Sequence, residues 1–161
     1  MALRPDRNFG QWDISYFCND TTADRGGPIC LSTAGSGDAM DQAEAVASYV
    51  ATPSGAFALG VLMQDVVNLD LTRQHINQHK DEVQTGGKVA ILVDGYVDTN
   101  RIYPSETPTA GAAAYVGPSG YFSTNNVGNQ QPQVGRFLST KDEDGYCKVL
   151  FGPRVSVNAS V

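Results

Sequence analysis

Two apolar runs rich in β-branched residues, Leu59–Val67 and Lys88–Val93, constrain most strongly what this chain can fold into. Short runs of this kind, bounded by turn residues, are typical of strands that are buried on at least one face. The polar connector between them, Asn68–Thr85, ends at the Gly86-Gly87 break and carries both histidines of the protein. Long connections without structure of their own are uncommon inside a domain, so the connector is the first place to look for function.

The rest of the chain also predicts short strands separated by turns. Asp94-Gly95 is a hairpin-type signal, so a turn is expected there. Ala39–Ala51 combines helix-forming alanines with β-favouring residues; a strand over Ala45–Ala51 is favoured, and a helix stays open. The pattern predicts an all-β fold, a single compact sandwich or barrel-like domain of short antiparallel strands. Its further strands are expected at Ile29–Thr33, Tyr96–Tyr103, Ala112–Val116, Gly120–Thr124, Val134–Ser139 and Gly145–Phe151.

Three segments follow from this pattern: an N-terminal arm at 1–24, a β domain at 25–152 and a C-terminal tail at 153–161. The arm holds an aromatic group with no helical or strand period, including Trp12 and Tyr16. Such an arm is either the edge of the core or a strap on a neighbouring subunit. Aromatic anchors are enriched in interfaces, which makes Trp12 and Tyr16 candidate contact residues.

Composition excludes several classes of function. The 11 basic and 17 acidic residues give a net charge of −6, and the basic residues are scattered, so the positive surface that a nucleic acid requires is missing. No apolar run approaches the roughly 20 residues of a membrane-spanning helix, and the first residues do not form a secretion signal. Cys18, Cys30 and Cys147 form no CxxC pair, so we expect reduced thiols in a soluble cytosolic product.

His75 and His79 are the strongest candidates for chemistry in the sequence. Their spacing of four would place both imidazoles on one face of a helix, where Asp70, Asp81 or Glu82 could complete a divalent metal site. The glutamate of an HExxH motif is missing, because Ile76 stands in its place. No nucleophile motif or phosphate-binding loop is present, so the sequence predicts no enzyme, no metal and no cofactor; a metal-dependent hydrolase is the third alternative.

Several segments together resemble the head decoration (cement) proteins of tailed bacteriophages, in particular cyanophage-like ones. The similarity covers about Ile14 to Phe151 and includes the segments GVLMQDVVNLDLTRQHINQHKDEVQTGGKVAIL, GSGDAMDQAEAV, TPTAGAAAYV and VGRFLSTKDEDGYCKVLF. The resemblance implies a non-enzymatic virion protein, made in the host cytoplasm, that binds the major capsid protein on the outer surface of the assembled head. It also implies a homo-oligomer, often a trimer, that stabilises the expanded shell.

Under this interpretation, the connector and the arm contact the major capsid protein or neighbouring copies. A few anchor residues supply most of the binding free energy of an interface, so only a small set of contact residues is expected to matter. The alternative interpretation is a carbohydrate- or host-surface-binding β-module displayed on the virion. The candidate contact residues are Trp12, Tyr16, Asp70, Arg73, His75 and His79.

Overall fold

A computed structural model describes residues 9–33, 46–68, 81–126 and 131–152, with side chains from residue 16 onward. This part of the chain is almost entirely β, which confirms the prediction of an all-β compact domain. Its one helical element is the short 3-10 turn Pro118–Gly120. The strands are β1 Phe9–Cys18, β2 Pro28–Thr33, β3 Val46–Ser48, β4 Ala58–Leu62, β5 Asp65–Val67, β6 Glu82–Gln84, β7 Lys88–Thr99, β8 Ala113–Val116, β9 Phe122–Ser123, β10 Gln133–Phe137 and β11 Cys147–Phe151.

Five of the strands close into a barrel in the order β1-β3-β2-β4-β7, because β7 also pairs with β1. The β1–β3 pair is parallel, with Phe17 opposite Val46, and the other pairs of the ring are antiparallel. Closure leaves no free edge in this part of the sheet. Part of the predicted N-terminal arm is therefore a barrel strand, since β1 pairs along β7 from Phe9↔Tyr96 to Phe17↔Lys88.

The long strand β7 joins this barrel to a second group of strands. Its first half lies between β1 and β4, and its second half pairs with β11, from which the sheet continues through β10 and β8 to β9. The hairpin turn predicted at Asp94-Gly95 is wrong, because β7 runs through both residues. Gly95 pairs with Gly10 on one side and with Phe151 on the other. The Asp-Gly sequence accompanies a register shift between β1 and β7, a bulge that bends the strand.

The apolar run Leu59–Val67 is split into two strands. Met63 and Gln64 separate β4 from β5, and both bind Ala90: its carbonyl accepts from Met63 N, and its N–H donates to Gln64 Oε1. The strand favoured over Ala45–Ala51 is confirmed for Val46–Ser48, which form β3, and residues 49–51 lie outside it. The predicted strand at Ile29–Thr33 is confirmed by β2, and the last four predicted strands are confirmed by β8, β9, β10 and β11. The strand predicted at Tyr96–Tyr103 is confirmed only as far as Thr99, where it is the end of β7.

Two buried clusters form the core. The barrel core includes Ile29, Leu62 and Ile91, and the second core packs Val61 and Leu92 against the strands that follow β7. Successive residues of β4 and β7 thus serve different cores, as expected for strands whose two faces are both covered. A bulge in β4 shifts the alternation of its side chains between the two cores. Ala58 pairs with Cys30 and Gly60 with Ile29, so Leu59 is the extra residue of the bulge.

Candidate functional site

The polar connector begins and ends at one place, which we call the connector base: strands β5 and β6 with the turn that follows. These two strands pair in parallel, from Asp65↔Glu82 to Val67↔Gln84. Because the pair is parallel, the chain that leaves after Val67 returns to the level of Asp65 before β6 begins. The Thr85 N–H donates to the Val67 carbonyl at 2.9 Å and extends the pairing by one hydrogen bond.

Arg25 fixes the connector base to the barrel. Its backbone N–H donates to Asp65 Oδ1 at 2.7 Å, and its Nη1 donates to Asp81 Oδ2 at 2.8 Å. Its Nε lies 4.0 Å from Asp65 Oδ2, and the Arg25 side chain is only 13% exposed. Charge-assisted hydrogen bonds of this kind are stronger than neutral ones. Arg25 therefore binds Asp65, just before the connector, and Asp81, near the connector's end.

Sequence reasoning placed Arg25 only in a turn. Its partners lie 40 and 56 residues away, so no local pattern could connect them. The turn itself is fastened to β4, because Gly26 N donates to the Leu62 carbonyl and Leu62 N donates to the Gly27 carbonyl. These hydrogen bonds to the end of β4 position Arg25 next to the connector base.

The end of β1 supports the connector base from the other side. The carbonyl of Cys18 accepts from Gly86 N at 2.7 Å, and Cys18 N donates to the Gly87 carbonyl at 3.1 Å. Thr85 Oγ1 donates to the Asp20 carbonyl at 3.0 Å, and Ala23 and Val66 form a β-bridge. The connector base is consequently fastened by hydrogen bonds to two other parts of the chain, the end of β1 and the turn at Arg25.

The candidate contact residues are described to different extents. Trp12 lies in β1 opposite Asp94, and its side chain is outside the described part. Tyr16 pairs with Val89 and is half-buried. Asp70, Arg73, His75 and His79 lie outside the described residues, in the stretch of sequence that separates β5 from β6. Their roles as contact residues stay predictions.

An apolar cleft of about 460 Å³ lies where β4 and β11 diverge beside β7. Phe57 at its rim is 67% exposed, the most exposed of the large hydrophobic side chains described. Cavities of this size with apolar walls are typical of ligand- or segment-binding sites. Sequence reasoning missed this cleft, apart from Tyr16. Its lining residues are Tyr16, Ala56, Phe57, Ala58, Leu59, Val93, Pro132, Gln133, Val134, Phe151 and Gly152.

A polar cleft of about 440 Å³ surrounds Arg101. The Arg101 guanidinium carbon lies 4.5 Å from the centre of the Tyr121 ring and 5.2 Å from that of Tyr49. Its Nη2 donates to the Ser119 carbonyl at 3.1 Å, and its Nη1 lies 3.6 Å from Asp24 Oδ2. Ser119 has a φ of 55°, a left-handed conformation that is strained for a serine. The remaining walls come from Asn19, Asp20, Thr21 and Thr22.

Burial suppresses ionisation of the cysteine thiols and of one tyrosine. It raises the pKa of Cys18 to about 11 and of Cys30 to about 12, and it raises the pKa of Cys147 as well. The pKa of Tyr49 is raised by burial, against the opposing influence of Arg101. All three cysteines are free and buried. A buried, protonated thiol is a poor nucleophile, so these cysteines serve as core side chains.

The described ranges contain no group of three or more His, Cys, Asp and Glu residues that could hold a metal ion. No helix in the same ranges is long and apolar enough to cross a membrane.

Comparison of the whole chain with known proteins finds no matching family model and no matching curated protein.

Proposed function

We propose that this protein is a head decoration protein that binds the outer surface of an assembled phage capsid and stabilises the expanded head. The observation that carries the proposal is the connector base, which presents the polar connector from a fixed platform. Most of the longest segment that resembles cement proteins lies in β4, β5, the connector, β6 and β7. Binding residues are commonly placed on loops that a rigid scaffold positions.

Cementing is a consequence of linkage. A protein that binds the expanded shell and not its dissociated subunits stabilises the shell by about 2.7 kcal/mol per site when its free concentration is 100 times its Kd. No catalytic residue and no cofactor is required. The partners are the major capsid protein and further copies of this chain, in a homo-oligomer such as a trimer, and the net charge of −6 disfavours nucleic acid.

Co-sedimentation with expanded, undecorated heads and with unexpanded proheads tests the proposal. We expect saturable binding to expanded heads only, together with a higher temperature of head disruption. Absence of binding to either shell would overturn the cement role. Trp12→Ala and Arg73→Ala test the predicted anchors, with Arg136→Ala as a control, because the Arg136 guanidinium binds the Gly111 carbonyl away from the connector base. Unchanged occupancy in the two test variants would exclude Trp12 and Arg73 as anchors.

The polar cleft favours a second candidate function, binding of a carbohydrate on the host surface. Its walls offer hydroxyl and amide groups beside the Tyr121 ring, and Asp20, Asp24 and Arg101 leave one net negative charge, which suits a neutral polyhydroxylated ligand better than an anion. A glycan array with the intact protein and with Tyr121→Ala tests this function. Binding that Tyr121→Ala abolishes would support it, and an array without hits would remove it.

A further inference from the structure

The apolar cleft lies at the end of β11, where Phe151 and Gly152 form part of its lining. The last pair of β11 with β7 is Phe151↔Gly95, and β4 joins β7 at Val61↔Leu92. β4 and β11 share one edge of β7, because β1 pairs along the other edge at both positions. The next place along this edge of β7 is therefore taken by β4, and Gly152, which follows the last residue of β11, lines the cleft between the two strands.

The residues that follow Gly152 have the pattern of a strand with one apolar face. In the nine residues PRVSVNASV, Val155, Val157, Ala159 and Val161 alternate with Ser156, Asn158 and Ser160. A period of two places the apolar side chains on one face and the polar ones on the other. The tail thus supplies the kind of surface that the apolar cleft can bury.

We propose that residues 153–161 of the same chain bind in the apolar cleft in extended form, with Val155 and Val157 directed toward Phe57. This occupant covers Phe57, which is otherwise 67% exposed, and it extends the second core beyond Val134 and Phe151. The Gly152 N–H donates to the carbonyl of Val134 at 3.3 Å, so the residue that precedes the tail is fastened to β10, one wall of the cleft.

The protein's own tail, residues 153–161, is a better occupant of the cleft than a separate polypeptide, because it is attached beside the cleft. A tethered segment has an effective concentration in the millimolar range, so modest apolar contacts suffice to hold it. This inference is independent of the capsid-binding role, since it concerns the free protein.

A pair of double variants tests the alternation. Val155→Asp with Val157→Asp places two carboxylates on the apolar face, and Ser156→Asp with Asn158→Asp places two on the polar face of the same segment. We expect the first variant to bind more of a hydrophobic dye such as ANS and to melt at least about 2–4 °C lower, the shift for about 1 kcal/mol in a chain of this size. The second variant should match the unmodified protein. Equal behaviour of the two variants would overturn the proposal.

Disulfide formation identifies the occupant directly. The variant Phe57→Cys with Val157→Cys is oxidised at low protein concentration, with Phe57→Cys and Asn158→Cys as the matched control. The native thiols do not compete, because they are buried and their pKa values are raised. A monomer-sized cross-linked product in the first variant, in excess over the control, supports the proposal. Only dimer-sized product would assign the cleft to the tail of a second copy, and no product would leave the tail outside it; both results overturn the proposal.

Discussion

Replacement of Arg25 by alanine is expected to loosen the connector base while leaving both cores intact. The pair between Arg25 and Asp81 contributes about 0.2–1 kcal/mol, because the Asp81 side chain is 63% exposed and its charge is screened by water. The Asp65 carboxylate is 24% exposed, and it keeps the hydrogen bond from the Arg25 backbone in the variant.

The interaction energy between the Arg25 guanidinium and the Asp65 carboxylate depends strongly on the local dielectric constant. Two unit charges at 4 Å interact by about 1 kcal/mol in water and about 4 kcal/mol at an effective dielectric constant of 20. In the Arg25→Ala variant, water hydrates the partly exposed Asp65 carboxylate, and this hydration offsets most of the lost interaction energy. Loss of the two contributions together lowers the free energy of unfolding by about 1–2 kcal/mol, which corresponds to a fall in Tm of about 2–8 °C.

Urea denaturation with an unchanged m-value measures this loss. A double-mutant cycle with Asp65→Asn isolates the charge interaction, because the amide oxygen can still accept from the Arg25 backbone N–H. Arg136→Ala is the matched control, since it removes one surface hydrogen bond, from Arg136 Nη1 to the Gly111 carbonyl at 3.1 Å. Hydrogen exchange of the Glu82–Gln84 amides should accelerate in Arg25→Ala only. A loss no larger than that of Arg136→Ala, with no coupling to Asp65, would refute the anchoring role of Arg25.

Three further predictions concern close packing, buried thiols and the polar cleft. Gly135→Ala should lower the free energy of unfolding by at least about 1–3 kcal/mol, because its Cβ would lie 1.9 Å from the Leu150 carbonyl oxygen. Gly145→Ala, at a φ of 82° but in open space, should lower it by only about 1–2 kcal/mol. Urea unfolding measures both values, and a reversed order would contradict this prediction. The free energy of unfolding should fall as pH rises from about 9 to about 12, because the unfolded Cys30 thiol loses its proton near 9.0 and the folded one near 12, and Cys30→Ala should flatten this slope. Tyr49→Phe should lower stability by about 0.5–1.5 kcal/mol, because the Tyr49 hydroxyl donates to the Asp24 carbonyl at 2.7 Å, and an unchanged urea midpoint would argue against that bond.

The strand content could be predicted from the sequence because it is encoded locally. β-branched residues recur in short runs between turn residues, and this pattern identified β2 and the later strands β8, β10 and β11. The polar connector was equally evident, since it interrupts two apolar runs. These properties depend on the side chains of neighbouring residues and need no knowledge of distant partners.

Only the tertiary structure decided how the strands are used. Asp94-Gly95 has the local signature of a hairpin, yet both edges of β7 are paired there, with Gly10 and Phe151, so the chain bulges instead of reversing. The closure of the barrel by β1, the parallel pairing of β5 with β6 and the double contact of Arg25 all join residues far apart in the chain. Local propensity carries no information on such pairings, because their free energy depends on register and burial that exist only once the sheet has closed.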